Sequence, residues 1–312
     1  MDPAQFRSHS FCMGATPFDD QGRLDEDALR AHVQWLSSEG ISVLPASASS
    51  GEGPLLSDEE VFRVWEIVVE EAAGRFPVVV ANREFPTAAE NIRFAREAES
   101  RGLDGIQLYP PTLGHVIAPT TDVLEAFYED VLPHVRLPVL VSSNQATGFE
   151  VPLAVHERLL ARHEHIFAFY KNHSDLMNCA SAYARMAPRT TVLTGFVRLP
   201  MAFLLGATGE LDHVQNLMPR TARALHDALH TGDLARASTA YARIVEAQAA
   251  TTRFGQEEGL NRMPVYKGVL RALGRPGTWA TRAPYRPLSD EQQSRLAAVV
   301  DRLGLAELEG LA

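Results

Sequence analysis

The chain has 312 residues, 46% hydrophobic and 22% charged, enough to bury a large core as one large domain or two ordinary ones. A formal net charge of −10 argues against nucleic acid as the main partner, because phosphate binding needs a concentrated basic face. No run approaches the roughly 18 apolar residues that a membrane helix needs, and residues 1–12 show no leader pattern. The expectation is a cytoplasmic protein with no membrane partner.

Short apolar runs alternate with amphipathic helices. The runs are Phe11 to Phe18, Ile41 to Ala46, Pro77 to Ala81, Gly105 to Tyr109, Pro138 to Val141, Ile166 to Lys171, Thr191 to Phe196 and, weakest, Ala207 to Val214. They read as parallel strands buried on both faces. Leu29, Val33 and Leu36 repeat at helical spacing after the first run, and Val61, Val64, Trp65 and Val68 do so after the second. Ser57 to Glu60 and Thr87 to Glu90 are capping boxes that open helices. Strand and helix units repeated in this way predict an α/β fold, a (β/α)8 TIM barrel, over residues 1–218. From about Gln215 the pattern is purely helical, at 219–253, 263–274 and 289–304. Residues 219–312 therefore read as a C-terminal helical extension packed on the barrel.

Two cysteines, Cys12 and Cys179, are too few for a disulfide scaffold, and the chain has no zinc, iron–sulfur, P-loop or dinucleotide-binding spacing. Lysine usage is more telling. Of 29 basic side chains only Lys171 and Lys267 are lysines. Lys171 ends the sixth run, and in a barrel catalytic groups sit at the carboxyl ends of strands. A lysine at the mouth of an apolar pocket loses solvation for its charged form and becomes able to attack a carbonyl. The competing reading is a snorkelling or ion-paired cation. Alternation places Phe167, Phe169 and Lys171 on one face, with Ala168 and Tyr170 on the other. If Lys171 points into the barrel, Tyr170 points towards the helices, which discounts Tyr170.

After the second run comes Ala48-Ser49-Ser50-Gly51-Glu52-Gly53, leading into Leu56 and the capping box. Hydroxyls and free amides converging at a strand-to-helix turn suit a carboxylate, and equally describe a Ser/Gly loop that caps a helix.

Together these motifs resemble the dihydrodipicolinate synthase and N-acetylneuraminate lyase superfamily, the pyruvate-type class I aldolases, whose signature is Gly-Thr-Thr-Gly-Glu before a Leu-Ser-x-Glu-Glu helix start. Further landmarks follow in order: Thr16-Pro17-Phe18, Gly102 to Gly105, Pro110-Pro111, Thr147-Gly148, Gly206 to Gly209, Asn216 to Pro219, and Pro264 to Lys267. The resemblance implies that Lys171 forms a Schiff base with a small-molecule 2-oxo acid such as pyruvate, and that Ser49, Ser50 and Gly51 receive its carboxylate. Lys267 is given a structural role. No metal or organic cofactor is implied, and the expected assembly is a homotetramer or homodimer.

The departures are specific. The family's fifth-strand tyrosine falls on Ser142 or Ser143, its arginine on Ala146, and a fourth-strand tyrosine on Thr112. Candidate replacements for the missing acid–base group are Tyr109, His115 and His173, or water held by Ser142 and Asn144. His173 reads equally as a cap for the helix opened by Ser174-Asp175. Thr112 and Asn144 are candidate substrate contacts. Arg83 suits either a second carboxylate or a surface ion pair. Aldol cleavage or condensation leads, with dehydration of a 2-keto-3-deoxy sugar acid and a non-catalytic 2-oxo-acid-binding protein as alternatives.

Overall fold

Eight strands carry the sheet: β1 (Ser10–Met13), β2 (Ile41–Leu44), β3 (Val79–Ala81), β4 (Gly105–Leu108), β5 (Val139–Asn144), β6 (Ile166–Asn172), β7 (Thr191–Thr194) and β8 (Gly209–Asp212). Each falls within or overlaps one of the eight predicted runs. The computed structural model describes residues 6, 9–114, 118–144 and 149–311, with the side chains of Ser143 and Asn144 outside the description. Helices α1 (Glu26–Ser38), α2 (Asp58–Ala72), α3 (Ala88–Ser100), α4 (Thr121–Val131), α5 (Leu153–Arg162), α6 (Leu176–Met186) and α7 (Leu199–Leu204) follow the first seven strands in turn. α8 (Pro219–Thr231) follows the eighth, and the strand order is β2-β1-β8-β7-β6-β5-β4-β3. This is the (β/α)8 barrel expected from the alternation.

The helical region holds α9 (Leu234–Glu258), α10 (Arg262–Ala272), α11 (Asp290–Arg302) and α12 (Leu305–Leu308). The stretch read as one helix over 219–253 is two. Gly232, at φ +73°, ends α8, and the Asp233 carboxylate accepts the Arg236 amide at 3.0 Å to start α9.

The chain divides into two compact units at places other than residue 218. One holds the chain up to Phe11 with Pro77–Asp212, and the other holds Cys12–Phe76 with His213–Ala312. In the first, β3 to β8 pair in parallel and in chain order. In the second, the C-terminal helices are tied to the first two β/α repeats. Arg282 reaches the Glu60 carboxylate at 2.7 Å, and Arg220 reaches Glu39 at 3.1 Å. The carboxylate of Glu309 accepts the Arg220 and Thr221 amides at 2.7 and 3.2 Å, so the chain's last helical turn supplies acceptors for the free amides of α8.

In the first unit the strands present two distinct faces. Asn82, just past β3, donates to Asn91 of α3 at 2.6 Å. The Phe169 ring of β6 meets the His156 ring of α5 at 4.8 Å, and Thr194 of β7 bonds Tyr183 of α6 at 2.6 Å. These residues define the helix-covered face. Their neighbours along each strand, Ala81, Tyr170 and Leu193, lie on the opposite face, which in this fold lines the lumen.

Candidate active site

The register of β6 decides what its carboxyl end presents. Val139 pairs with Ile166 but Leu140 pairs with Ala168, so Phe167 is an extra residue that switches the parity of the strand. Beyond it Ser142 lies beside Tyr170, Ser143 beside Lys171, and Tyr170 beside Leu193. Tyr170 therefore shares the lumen face with Ser142, and Lys171 shares the helix face with Phe169.

The expected orientation of Lys171 is thereby corrected. Its side chain is 2% exposed and forms an ion pair with Glu150, whose other carboxylate oxygen accepts from Asn178 of α6 at 3.0 Å. Its carbonyl accepts from Thr194 at 3.0 Å and from Tyr183 at 3.2 Å. The ion-paired reading of this lysine describes the structure, and the discounted Tyr170 takes the lumen position.

The lumen face of the same unit carries a polar row. Gln107 pairs laterally with Leu140, and its Nε2 donates to the Ser142 hydroxyl at 2.5 Å; both side chains are fully buried. The Gln107 side-chain carbonyl oxygen has no partner among the described residues. Tyr109 follows Gln107 at the same parity, is buried, and is fixed by its amide bonding the Asn82 side chain at 3.0 Å. Burial holds the Tyr170 phenol well above its usual 10, and the nearby Tyr109 and Asp212 push it further up. At neutral pH it is a hydrogen-bond donor, not a base.

Other sequence candidates are committed elsewhere. The Thr112 hydroxyl donates to the Glu84 carbonyl at 2.8 Å. His173 lies just before α6: its Nδ1 accepts the amide of Asp175, the residue that caps the helix, at 3.0 Å, while its Nε2 lies 3.6 Å from Glu150. His115, Ala146, Thr147, Gly148 and the side chains of Ser143 and Asn144 lie outside the described residues. Gln107 and Tyr170 are the lumen residues that the sequence reading missed. The shared parity of Gln107 and Tyr109 is the signal that, with the inward face known, finds Gln107.

The second unit contains the Ser49-Ser50-Gly51 turn. Thr16 donates to the Gly51 carbonyl at 2.7 Å, and the Gly51 amide donates to the Ser47 hydroxyl at 3.0 Å. A Cβ on Gly51 would lie 2.3 Å from the Ser47 nitrogen, so only glycine fits. Ser49 is half-buried, with its hydroxyl 3.6 Å from the Met13 sulfur. Ser50 is fully buried, and its hydroxyl has no partner among the described residues. Glu52, at φ +52°, turns its carboxylate to Lys267, 2.5 Å away, with both side chains fully buried. Lys267 also donates to the Ala280 carbonyl at 3.1 Å and lies 4.2 Å from the centre of the Phe18 ring. It is a structural cation.

Residues 7–303 match the dihydrodipicolinate synthetase family. The chain belongs to that family. A 4-hydroxy-tetrahydrodipicolinate synthase of Sorangium cellulosum is 30% identical over 299 residues, covering 95% of this chain and 96% of the relative. A DapA-like lyase of Rhizobium meliloti is 27% identical over 295 residues, covering 94% and 95%. Among solved structures, the family protein YagE from E. coli K12, in complex with pyruvate, superposes with a TM-score of 0.84 at 23% identity, covering 96% of this chain and 99% of that one. That last likeness carries the fold. The protein is a dihydrodipicolinate synthase-like lyase.

Proposed function

We propose that the protein acts as a lyase on pyruvate or a related small 2-oxo acid, whose carboxylate is received by the Ser49-Ser50-Gly51 turn. The Ser50 hydroxyl carries this reading. A buried hydroxyl without a partner costs about 1–3 kcal/mol, and a carboxylate oxygen is an acceptor that removes the cost. The pyruvate complex of a structural neighbour supports the same substrate class. Cleavage or formation of a carbon–carbon bond is the leading reaction, and dehydration of a 2-keto-3-deoxy sugar acid is its alternative.

A second reading keeps a Schiff base on Lys171. It is favoured by lysine usage, since the only other lysine, Lys267, is held in a buried ion pair. It requires the Lys171 ammonium to leave Glu150 and cross to the other side of the strand.

Calorimetry with pyruvate and a panel of 2-keto-3-deoxy acids, followed by product analysis, tests the proposal. Binding that weakens in Ser50→Ala supports it; pyruvate release then marks the aldolase, and a product retaining every carbon marks the dehydratase. Absence of binding by every 2-oxo acid contradicts it.

Cytoplasmic placement and assembly as a homotetramer or homodimer belong to the same proposal. No described helix is long and apolar enough to cross a membrane. Leu176 and Met177 of α6 and Leu204 of α7 expose apolar side chains suited to a subunit contact, 76% of Met177 being accessible. Light scattering gives the assembly state.

A further inference from the structure

We infer that the substrate carries a second anionic group, a carboxylate or a phosphate, at the end remote from its 2-oxo-acid head, and that Arg262 and His213 receive it. This inference rests on the 2-oxo-acid reading of the Ser49-Ser50-Gly51 turn. Every side chain it uses lies in the same compact unit as that turn.

The position of His213 is the first observation. It directly follows β8, at the carboxyl end of the strand, where barrels of this fold hold their substrates. The fully buried Asn216 fixes it there. The Asn216 amide nitrogen donates to the His213 and Met13 carbonyls, each at 2.9 Å, and its oxygen accepts the Ala15 amide at 2.8 Å. Met13 and Ala15 in turn border the carboxylate-receiving turn. The Met13 sulfur meets the Ser49 hydroxyl at 3.6 Å, and Thr16, next to Ala15, bonds the Gly51 carbonyl at 2.7 Å. One buried amide thus ties His213 to the segment on which the Ser49-Ser50 turn is packed.

The donors are the second observation. The His213 ring lies 5.3 Å from the buried ring of Tyr266, whose hydroxyl is bonded by Gln248. Arg262, one turn before Tyr266 on α10, places a guanidinium nitrogen 3.5 Å from His213 Nε2. That separation is at the outer limit of a hydrogen bond and leaves most of the guanidinium donors unspent. No carboxylate among the described residues pairs with Arg262, and the residue is exposed. The arginine fork matches two oxygens of a carboxylate or phosphate. The imidazole, with its proton on Nε2, adds a donor at their edge. Pyruvate has one anionic group and leaves this pair unused. A longer 2-oxo acid with an acidic far end uses both the turn and the pair.

The test is calorimetry on the full-length protein with pyruvate, with 2-oxoglutarate and 2-oxoadipate, and with a six-carbon 2-keto-3-deoxy sugar acid whose far end is a hydroxyl, a carboxylate or a phosphate. A probe with an acidic far end is expected to bind about tenfold or more tightly than its neutral-ended counterpart. Whether the carboxylate or the phosphate gains more identifies the group. Arg262→Gln is expected to remove the gain and to change pyruvate affinity by only about twofold or less, whereas Arg262→Lys keeps part of the gain. Ser50→Ala, in contrast, is expected to weaken every probe alike. Equal affinity for acidic-ended and neutral-ended probes, or a gain that survives in Arg262→Gln, would overturn the inference; with pyruvate still bound, the 2-oxo-acid reading would stand. Failure of every 2-oxo acid to bind would overturn both.

Discussion

Tyr170 and Lys171 are neighbours in sequence that leave β6 on opposite faces, the phenol beside Ser142 and the ammonium on Glu150. The ion pair gives Lys171 a contribution to stability that can be measured by itself.

Lys171→Met removes the ammonium partner of Glu150 and is expected to cost about 1–3 kcal/mol, because it leaves the carboxylate with Asn178 and, at 3.6 Å, His173. Lys171→Arg is expected to recover most of that loss. Urea unfolding of the two variants measures it. Pyruvate binding by the folded fraction should be the same in both and in the wild type.

At the Ser49-Ser50 turn the two kinds of effect run in opposite directions. Ser50→Ala removes a buried hydroxyl that has no partner in the free protein, so stability should hold or rise slightly. Affinity for a 2-oxo acid should fall about tenfold, the equivalent of one lost hydrogen bond of about 1.4 kcal/mol. Gly51→Ala, in contrast, places a Cβ against the Ser47 backbone and should impair folding itself. Calorimetry and thermal melts on both variants separate binding from fold.

The Glu52–Lys267 pair is fully buried, so breaking it from one side is costly. Lys267→Met is expected to destabilise the protein by about 3–5 kcal/mol by leaving a buried carboxylate uncompensated. Adding Glu52→Gln should recover part of the loss. Chemical denaturation of the single and double variants measures the coupling, and a single variant as stable as the wild type would contradict this role.

Two buried imidazoles set the acid limit. Burial lowers His32 from 6.5 to about 4, against a smaller upward pull from its bond to Asn216, and lowers His156 from 6.5 to about 3. Between those values and 6.5 the unfolded chain binds more protons than the folded one. Stability therefore rises with pH through this window and is lost as pH falls from about 6.5 towards 3–4, by about 3 kcal/mol or more for each ring. Urea titrations across the window should show this loss, and His156→Leu should make it shallower.

Strand positions and helix starts were legible because buried runs, capping boxes and glycine turns are local signals. The facing of β6 was not. Ile166 to Tyr170 is apolar throughout, so no alternation marks an inner side, and the extra residue Phe167 changes parity through pairing with β5, a tertiary fact. Gln107 was passed over for the same reason. Gly232 and Asp233 did announce the break between α8 and α9, but helical periodicity on both sides masked it.

The most direct test of this account is calorimetry with pyruvate on the wild-type protein and on Ser50→Ala. Binding by the wild type that weakens about tenfold in a folded Ser50→Ala variant is the predicted result. Absence of binding by pyruvate and every other 2-oxo acid, or unchanged affinity in Ser50→Ala, would contradict the account.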